Sequence, residues 1–178
     1  MAHGGGMTGR FTVAALTILA ALALVGTQGG SHARQAEAPA DVRDRLEGTW
    51  MLEEWHHEGQ VLRPPAVGGR WSNNDGVVMA TFYRQSGGSF QSFAGYGTYE
   101  MTAETWGYAY ERVQTTQGAS PEDAVVSARV GGVMRSFDLS REGDTIVLTA
   151  GDDRREYDDQ FFVFMPGGTV LRKYRKVR

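Results

Sequence analysis

The chain has 178 residues and carries 18 Lys and Arg against 21 Asp and Glu, a formal net charge of -3. A balance that small gives no footing for a nucleic-acid partner or a charged membrane surface. Cysteine is absent, which excludes disulfides, thiolate nucleophiles and cysteine-ligated metals. The length fits one domain, and 24 glycines with 8 Phe, 7 Tyr and 4 Trp suit many short strands joined by tight turns.

Arg10 precedes an uncharged run over 11–26, about 16 residues long. Such a run is shorter than the roughly 20 residues that span a bilayer, and it suits the core of a signal peptide. Ser31-His32-Ala33 offers a small-x-small cleavage pattern, with Ala36-Glu37-Ala38 as a second. An uncleaved membrane anchor is the alternative. Residues 1–40 are therefore expected to be signal peptide and linker, and 41–178 the folded domain. That domain is expected to be exported, either extracellular or in the periplasm or cell envelope, with no membrane insertion after cleavage. His3 and His32 leave with the leader, so His56 and His57 are the imidazoles left for chemistry.

Within the domain, residues 41–47 predict one or two helical turns, with Asp41 near the start and Leu46 as the apolar contact. A first strand follows over 49–57. Its alternation sets Trp50, Leu52 and Glu54 on one face and Met51, Glu53 and Trp55 on the other. Residues 63–75 hold Pro64-Pro65, Gly68-Gly69 and Asn73-Asn74-Asp75, and read as a long loop that could lie across an open barrel end. Further strands are expected over 77–85, 93–101, 105–115, 124–130, 133–140, 145–150, 161–165 and 169–177. The charged segment 152–159 reads as a solvated hairpin tip. That makes about nine strands joined mostly by hairpin-length turns. The expected fold is all-β: a closed antiparallel up-and-down barrel of about 8–10 strands with a short N-terminal helical turn. An open sandwich is the alternative.

The chain resembles the lipocalin-like (calycin) proteins, particularly bacterial lipocalin-like domains. The resemblance rests on Gly48-Thr49-Trp50, matching the Gly-x-Trp of the family's first strand, and on the strand at 76–80. The aromatic stretches 93–101 and 105–110, Phe137-Asp138-Leu139 with 144–149, and the basic last strand add to it. The family's Thr-Asp-Tyr loop motif is absent, so the resemblance is to the broader calycin group. It implies a barrel that carries a small apolar molecule, with Trp50 as a structural plug at one end. Some members of the group are isomerases or cyclases.

The candidate ligand-binding residues are Phe82, Tyr99, Trp106, Tyr108, Tyr110, Arg172 and Tyr174. Trp106, Tyr108 and Tyr110 share one strand face by their period of two, and an inward face would offer rings and phenol hydroxyls to a ligand. Packed core is the competing reading of that face. Arg172 and Tyr174 share a face of the last strand and resemble the Arg-x-Tyr head-group clamp of fatty-acid-binding proteins. Such a pair could hold a carboxylate, or the arginine could instead pack on a first-strand Trp. Glu54, if inward, needs a partner such as Arg172 or Arg84. His56 and His57 point to opposite faces and read as surface residues beside the turn at Glu58-Gly59.

The acids of 152–159 lack the spacing of a calcium loop, and no catalytic residue, metal site or cofactor is assigned. Binding or transport of a small hydrophobic or amphipathic molecule in the barrel is the leading expectation. An isomerase or cyclase in the same cavity is the alternative, and a filled barrel with a structural or envelope role is the third reading.

Overall fold

The computed structural model describes residues 38–177; the leader expected over 1–40 lies, apart from its last three residues, outside them. A short helix, α1 (Ala40–Leu46), leads into β1 (Gly48–His57), β2 (Gln60–Leu62), β3 (Val67–Asn74) and β4 (Val77–Ser86). Then come the long strands β5 (Ser89–Met101) and β6 (Thr105–Gly118), the short β7 (Val125–Val130), and β8 (Arg135–Glu142). The chain finishes with β9 (Thr145–Ala150), β10 (Asp153–Tyr157), β11 (Phe161–Met165), a 3-10 turn at Pro166–Gly168, and β12 (Arg172–Lys176). Ten strands follow one another around a ring, β1-β3-β4-β5-β6-β8-β9-β10-β11-β12, and β12 pairs back onto β1. Every pairing is antiparallel, and the ring has no open edge. The expected all-β barrel is the observed architecture, and the sandwich is not.

Two short strands hang outside the ring. β2 extends β1 as a hairpin, and β7 pairs only with the upper half of β6. All six residues of β7 are exposed, Val125 at 75% and Val130 at 80%. From β7 the chain returns along β6, where the Gly131 amide donates to the Glu111 carbonyl at 2.8 Å, and β8 then pairs with the lower half of β6.

Alternation dictates the core. On β4, Val78, Ala80, Phe82 and Arg84 are buried while Met79, Thr81 and Tyr83 are exposed, the period of a strand with one face inward. On β5, Gly97 sits at a bulge with β6, where an added Cβ would lie 1.9 Å from the Ala109 carbonyl oxygen. Only a glycine lets the two backbones come that close.

The structure corrects three sequence readings. Residues 63–75 are not mainly a loop, because 67–74 form β3, paired along its length with β4. Val67, Trp71 and Asn73 alternate inward, and the Gly68-Gly69 pair masks that pattern in the sequence. A turn remains at 63–66, and β3 is joined to β4 by a tight turn at Asp75 and Gly76, both at positive φ. The charged segment 152–159 is not a hairpin tip, because β10 occupies 153–157 and turns Arg155 and Tyr157 into the core. The third correction concerns Glu54. β1 carries a bulge between Leu52 and Glu54, so the alternation slips by one residue. Trp55 turns inward with Trp50 and Leu52, and Glu54 turns out. Its partners are Arg63 at 2.7 Å and His56 at 3.3 Å, not Arg172 or Arg84.

The helix packs over one end of the ring. Val42 and Leu46 are its buried residues. Because α1 is too short to complete its own bonding, its last carbonyls look outward for donors. Lys176 Nζ supplies Asp44 O at 2.8 Å, and Asn73 Nδ2 supplies Leu46 O at 3.3 Å. Beneath it, Trp50 is fully buried, edge-on to Tyr157 at 5.4 Å and to Phe162 at 6.3 Å. The cation over the Trp50 ring is Lys176, at 5.0 Å. Arg172 lies higher, on Trp55.

Leu46 is 0% exposed, so Leu46→Ala should lower the unfolding free energy by about 2–5 kcal/mol, the range for a large-to-small change in a packed core. Urea denaturation at neutral pH measures it. A loss under ~1 kcal/mol would mean that the helix is not part of the cooperative core.

Candidate functional site

The inward side chains of the last strands form two level rows, because directly paired residues of antiparallel strands share a face. Toward α1, Ile146, Tyr157, Phe162, Tyr174 and Leu52 stand side by side across β9, β10, β11, β12 and β1. Their rings stack, Tyr157 on Phe162 at 4.4 Å and Phe162 on Tyr174 at 5.0 Å. One level up, the row reads Leu148, Arg155, Phe164, Arg172 and Trp55. Two arginines thus enter the barrel interior one strand to either side of Phe164.

Above the stacked row lies a cavity of about 170 Å³. Of the residues expected to touch a ligand, Phe82, Tyr108, Tyr110, Arg172 and Tyr174 line it. Trp71, Phe93, Arg155, Phe162 and Phe164 complete its wall. Tyr99 and Trp106 do not line it. Tyr99 lies under α1 and donates its hydroxyl to Glu47, and Trp106 is fully buried between Tyr99, Tyr108 and Phe137.

The rings of the wall hold one another in edge and stacked contacts. Phe82 stacks on Phe93 at 4.9 Å, Phe93 meets Tyr110 edge-on at 5.3 Å, and Tyr110 meets Tyr108 edge-on at 5.2 Å. Gly95 makes the space for this corner. A Cβ there would stand 2.8 Å from both the Phe93 and the Tyr110 rings.

Arg155 is the unexpected member, and it is only 2% exposed. Its Cζ is 4.4 Å from the centre of the Phe137 ring, 5.1 Å from Trp71 and from Tyr108, and 5.2 Å from Phe164. Nη2 donates to the Tyr108 hydroxyl at 3.0 Å, while Nε and Nη1 have no hydrogen-bond partner. Arg172 packs between Phe82 at 4.1 Å and Trp55 at 4.2 Å, and its Nε is likewise without a partner. Arg84, 8% exposed, lies over the same Trp55 ring at 5.7 Å with its Nε unpartnered. Among the described residues no carboxylate pairs with any of these three arginines. Asp153, two residues before Arg155 on the same strand, is paired with Arg135.

A guanidinium stays charged and brings five donors. Ring faces offset part of its desolvation, but they accept few of its hydrogen bonds. The interior therefore holds positive charge and unused donors beside an apolar space. The phenols do not supply the missing negative charge: burial pushes Tyr110, Tyr157 and Tyr174 well above the ordinary tyrosine value, against the opposing pull of Arg155 and Arg172. No group of three or more His, Asp or Glu side chains among the described residues is placed to hold a metal. His56 and His57 stand away from this cavity, each half-buried beside a carboxylate, Glu54 and Glu58 respectively.

Arg155 was legible only as part of a charged run. The signal was the alternation Asp153-Arg155-Tyr157 against Arg154-Glu156, with the real turn at Asp158-Asp159. Trp71 was hidden by the glycines before it. Comparison with known protein families, with curated proteins and with solved structures gave no match.

The raised phenols give a pH signature. They stay neutral in the fold while the unfolded chain ionises near pH 10, so the stability they contribute is complete below that value and is lost as pH rises beyond it. Each adds a decline of roughly 1.4 kcal/mol per pH unit. Urea midpoints between pH 8 and 11.5 should fall steeply above 10, and Tyr110→Phe should make the fall shallower. A flat profile to pH 11 would contradict the buried, neutral assignment.

Proposed function

We propose that this barrel binds a small amphipathic molecule, its apolar part among the rings of the cavity and its acidic head against Arg155 and Arg172. In this reading the protein is a lipocalin-like, calycin-type carrier, and the hydrophobic leader exports it to the cell envelope or beyond. The observation that carries the reading is Arg155, almost wholly buried and paired with no carboxylate among the described residues, lining an aromatic cavity. Leaving buried charge and donors unmet costs several kcal/mol, and an anionic ligand would meet both. The expected pairing of Arg172 and Tyr174 supports the same end, since both line the cavity.

Binding is favoured over turnover by the cavity's own chemistry. Its lining offers the Tyr110 and Tyr174 phenols, which burial keeps neutral, and no imidazole or carboxylate to take up a proton at neutral pH. A filled structural barrel is disfavoured by the cavity itself.

Arg172→Met keeps the apolar contacts on Phe82 and Trp55 while removing charge and donors. It should weaken a carboxylate ligand about 10- to 100-fold, the equivalent of one charge-assisted bond, and leave a neutral ligand of the same shape unchanged. Titration calorimetry with paired acid and amide ligands reads the difference. An equal loss for both would remove the head-group role. Native mass spectrometry of the protein taken from its own source should show a bound organic acid.

A further inference from the structure

We infer that the ligand is a single-ring aromatic carboxylate rather than a long-chain acid. This rests on the cavity being the binding site, and it follows from size, wall chemistry and the placing of the charges. The space is about 170 Å³. A cavity of ~150 Å³ in a protein core takes up one benzene molecule, whereas pockets for larger ligands run to about 300–1,000 Å³. One ring and a short substituent fill what is available. A long acyl chain does not fit wholly inside the barrel unless the stacked row beneath it, Tyr157, Phe162 and Tyr174, comes apart. That row is closed by ring contacts of 4.4 and 5.0 Å and is buried throughout.

The wall selects a ring by its geometry. Phe82 and Phe93 lie nearly parallel, 9° apart, while Phe93 and Tyr110 meet at 60°. The corner therefore combines ring faces with ring edges, the two surfaces on which an aromatic guest gains most. A flexible chain would gain burial there but not these directional contacts. The head of the ligand is fixed by the row Arg155, Phe164, Arg172. The two guanidiniums flank one phenylalanine at 5.2 and 5.7 Å from its centre. A carboxylate on the ring would lie against the guanidiniums of Arg155 and Arg172 where they line the cavity. The volume is held open by Gly95, whose missing Cβ lets Phe93 and Tyr110 lie back.

The test uses the full chain and three probes in titration calorimetry: benzoate, benzamide and decanoate. Benzoate should bind at least about tenfold more tightly than benzamide, the worth of one charge-assisted contact, and more tightly than decanoate. Gly95→Ala should weaken benzoate about tenfold or more while circular dichroism and the urea midpoint show the barrel still folded. Should Gly95→Ala not fold, Tyr110→Trp offers the same narrowing by adding bulk to the wall. Decanoate binding as tightly as benzoate would overturn the ring assignment while leaving the cavity as the site. Benzamide matching benzoate would overturn the carboxylate. If none of the three binds, and an apolar fluorescent dye also leaves tryptophan emission unchanged, the cavity reading falls together with this one.

Discussion

The antiparallel pairing of β1 with β12 is the contact on which the rest of the barrel depends. It joins the first strand of the ring to the last, removes the final pair of open edges, and places both ends of the folded segment at one seam. The seam is irregular. The bulge between Leu52 and Glu54 uses one extra residue of β1 against β12, and everything above it is shifted by one position. Trp55 consequently enters the interior beside Arg172, and the two acids at the bulge are left outside, Glu53 with Arg175 and Glu54 with Arg63. A regular strand would have brought Glu54 inward to neutralise an arginine. One local irregularity thus decides that the interior is positively charged.

That charge is tolerated because the interior is aromatic. Arg155 sits within 4.4–5.5 Å of five ring centres, so it trades water for ring faces rather than for plain hydrocarbon. The trade is incomplete, since ring faces do not accept the N–H groups that lie in the guanidinium plane. The same rings that make the charge bearable also bound the cavity. Arg155 is therefore a cost to the barrel that its ring contacts only partly offset.

Much of this fold was legible in the sequence, and the reasons for the exceptions are physical. β4 reads cleanly because Val78, Ala80 and Phe82 alternate with Met79, Thr81 and Tyr83. The same period set Tyr108 with Tyr110, and Arg172 with Tyr174, on shared strand faces, and all four line the cavity. Tyr99 and Trp106 also point inward, but the period says nothing about depth along the axis, and α1 covers their level. β3 and β10 were missed because the sequence marks them as turns, one by Gly68-Gly69 and the other by charge. In β10 the charge at Arg155 points inward among aromatic rings, so the rule that charged runs are solvated fails for this strand. The bulge in β1 leaves no mark in composition at all, which is why Trp55 and Glu54 were exchanged.

β7 has one neighbour and no buried side chain. Almost nothing but its bonds to β6 resists its leaving, so this strand should be the first part of the sheet to breathe, far below the free energy of unfolding the whole. Its partner segment on β6 begins at Arg112, two residues beyond Tyr110 in the cavity wall. Fraying of β7 would loosen the rim at that point while the ring of ten strands stays shut. Local opening at this corner therefore needs only a six-residue appendage to detach, not the ten-strand ring to part.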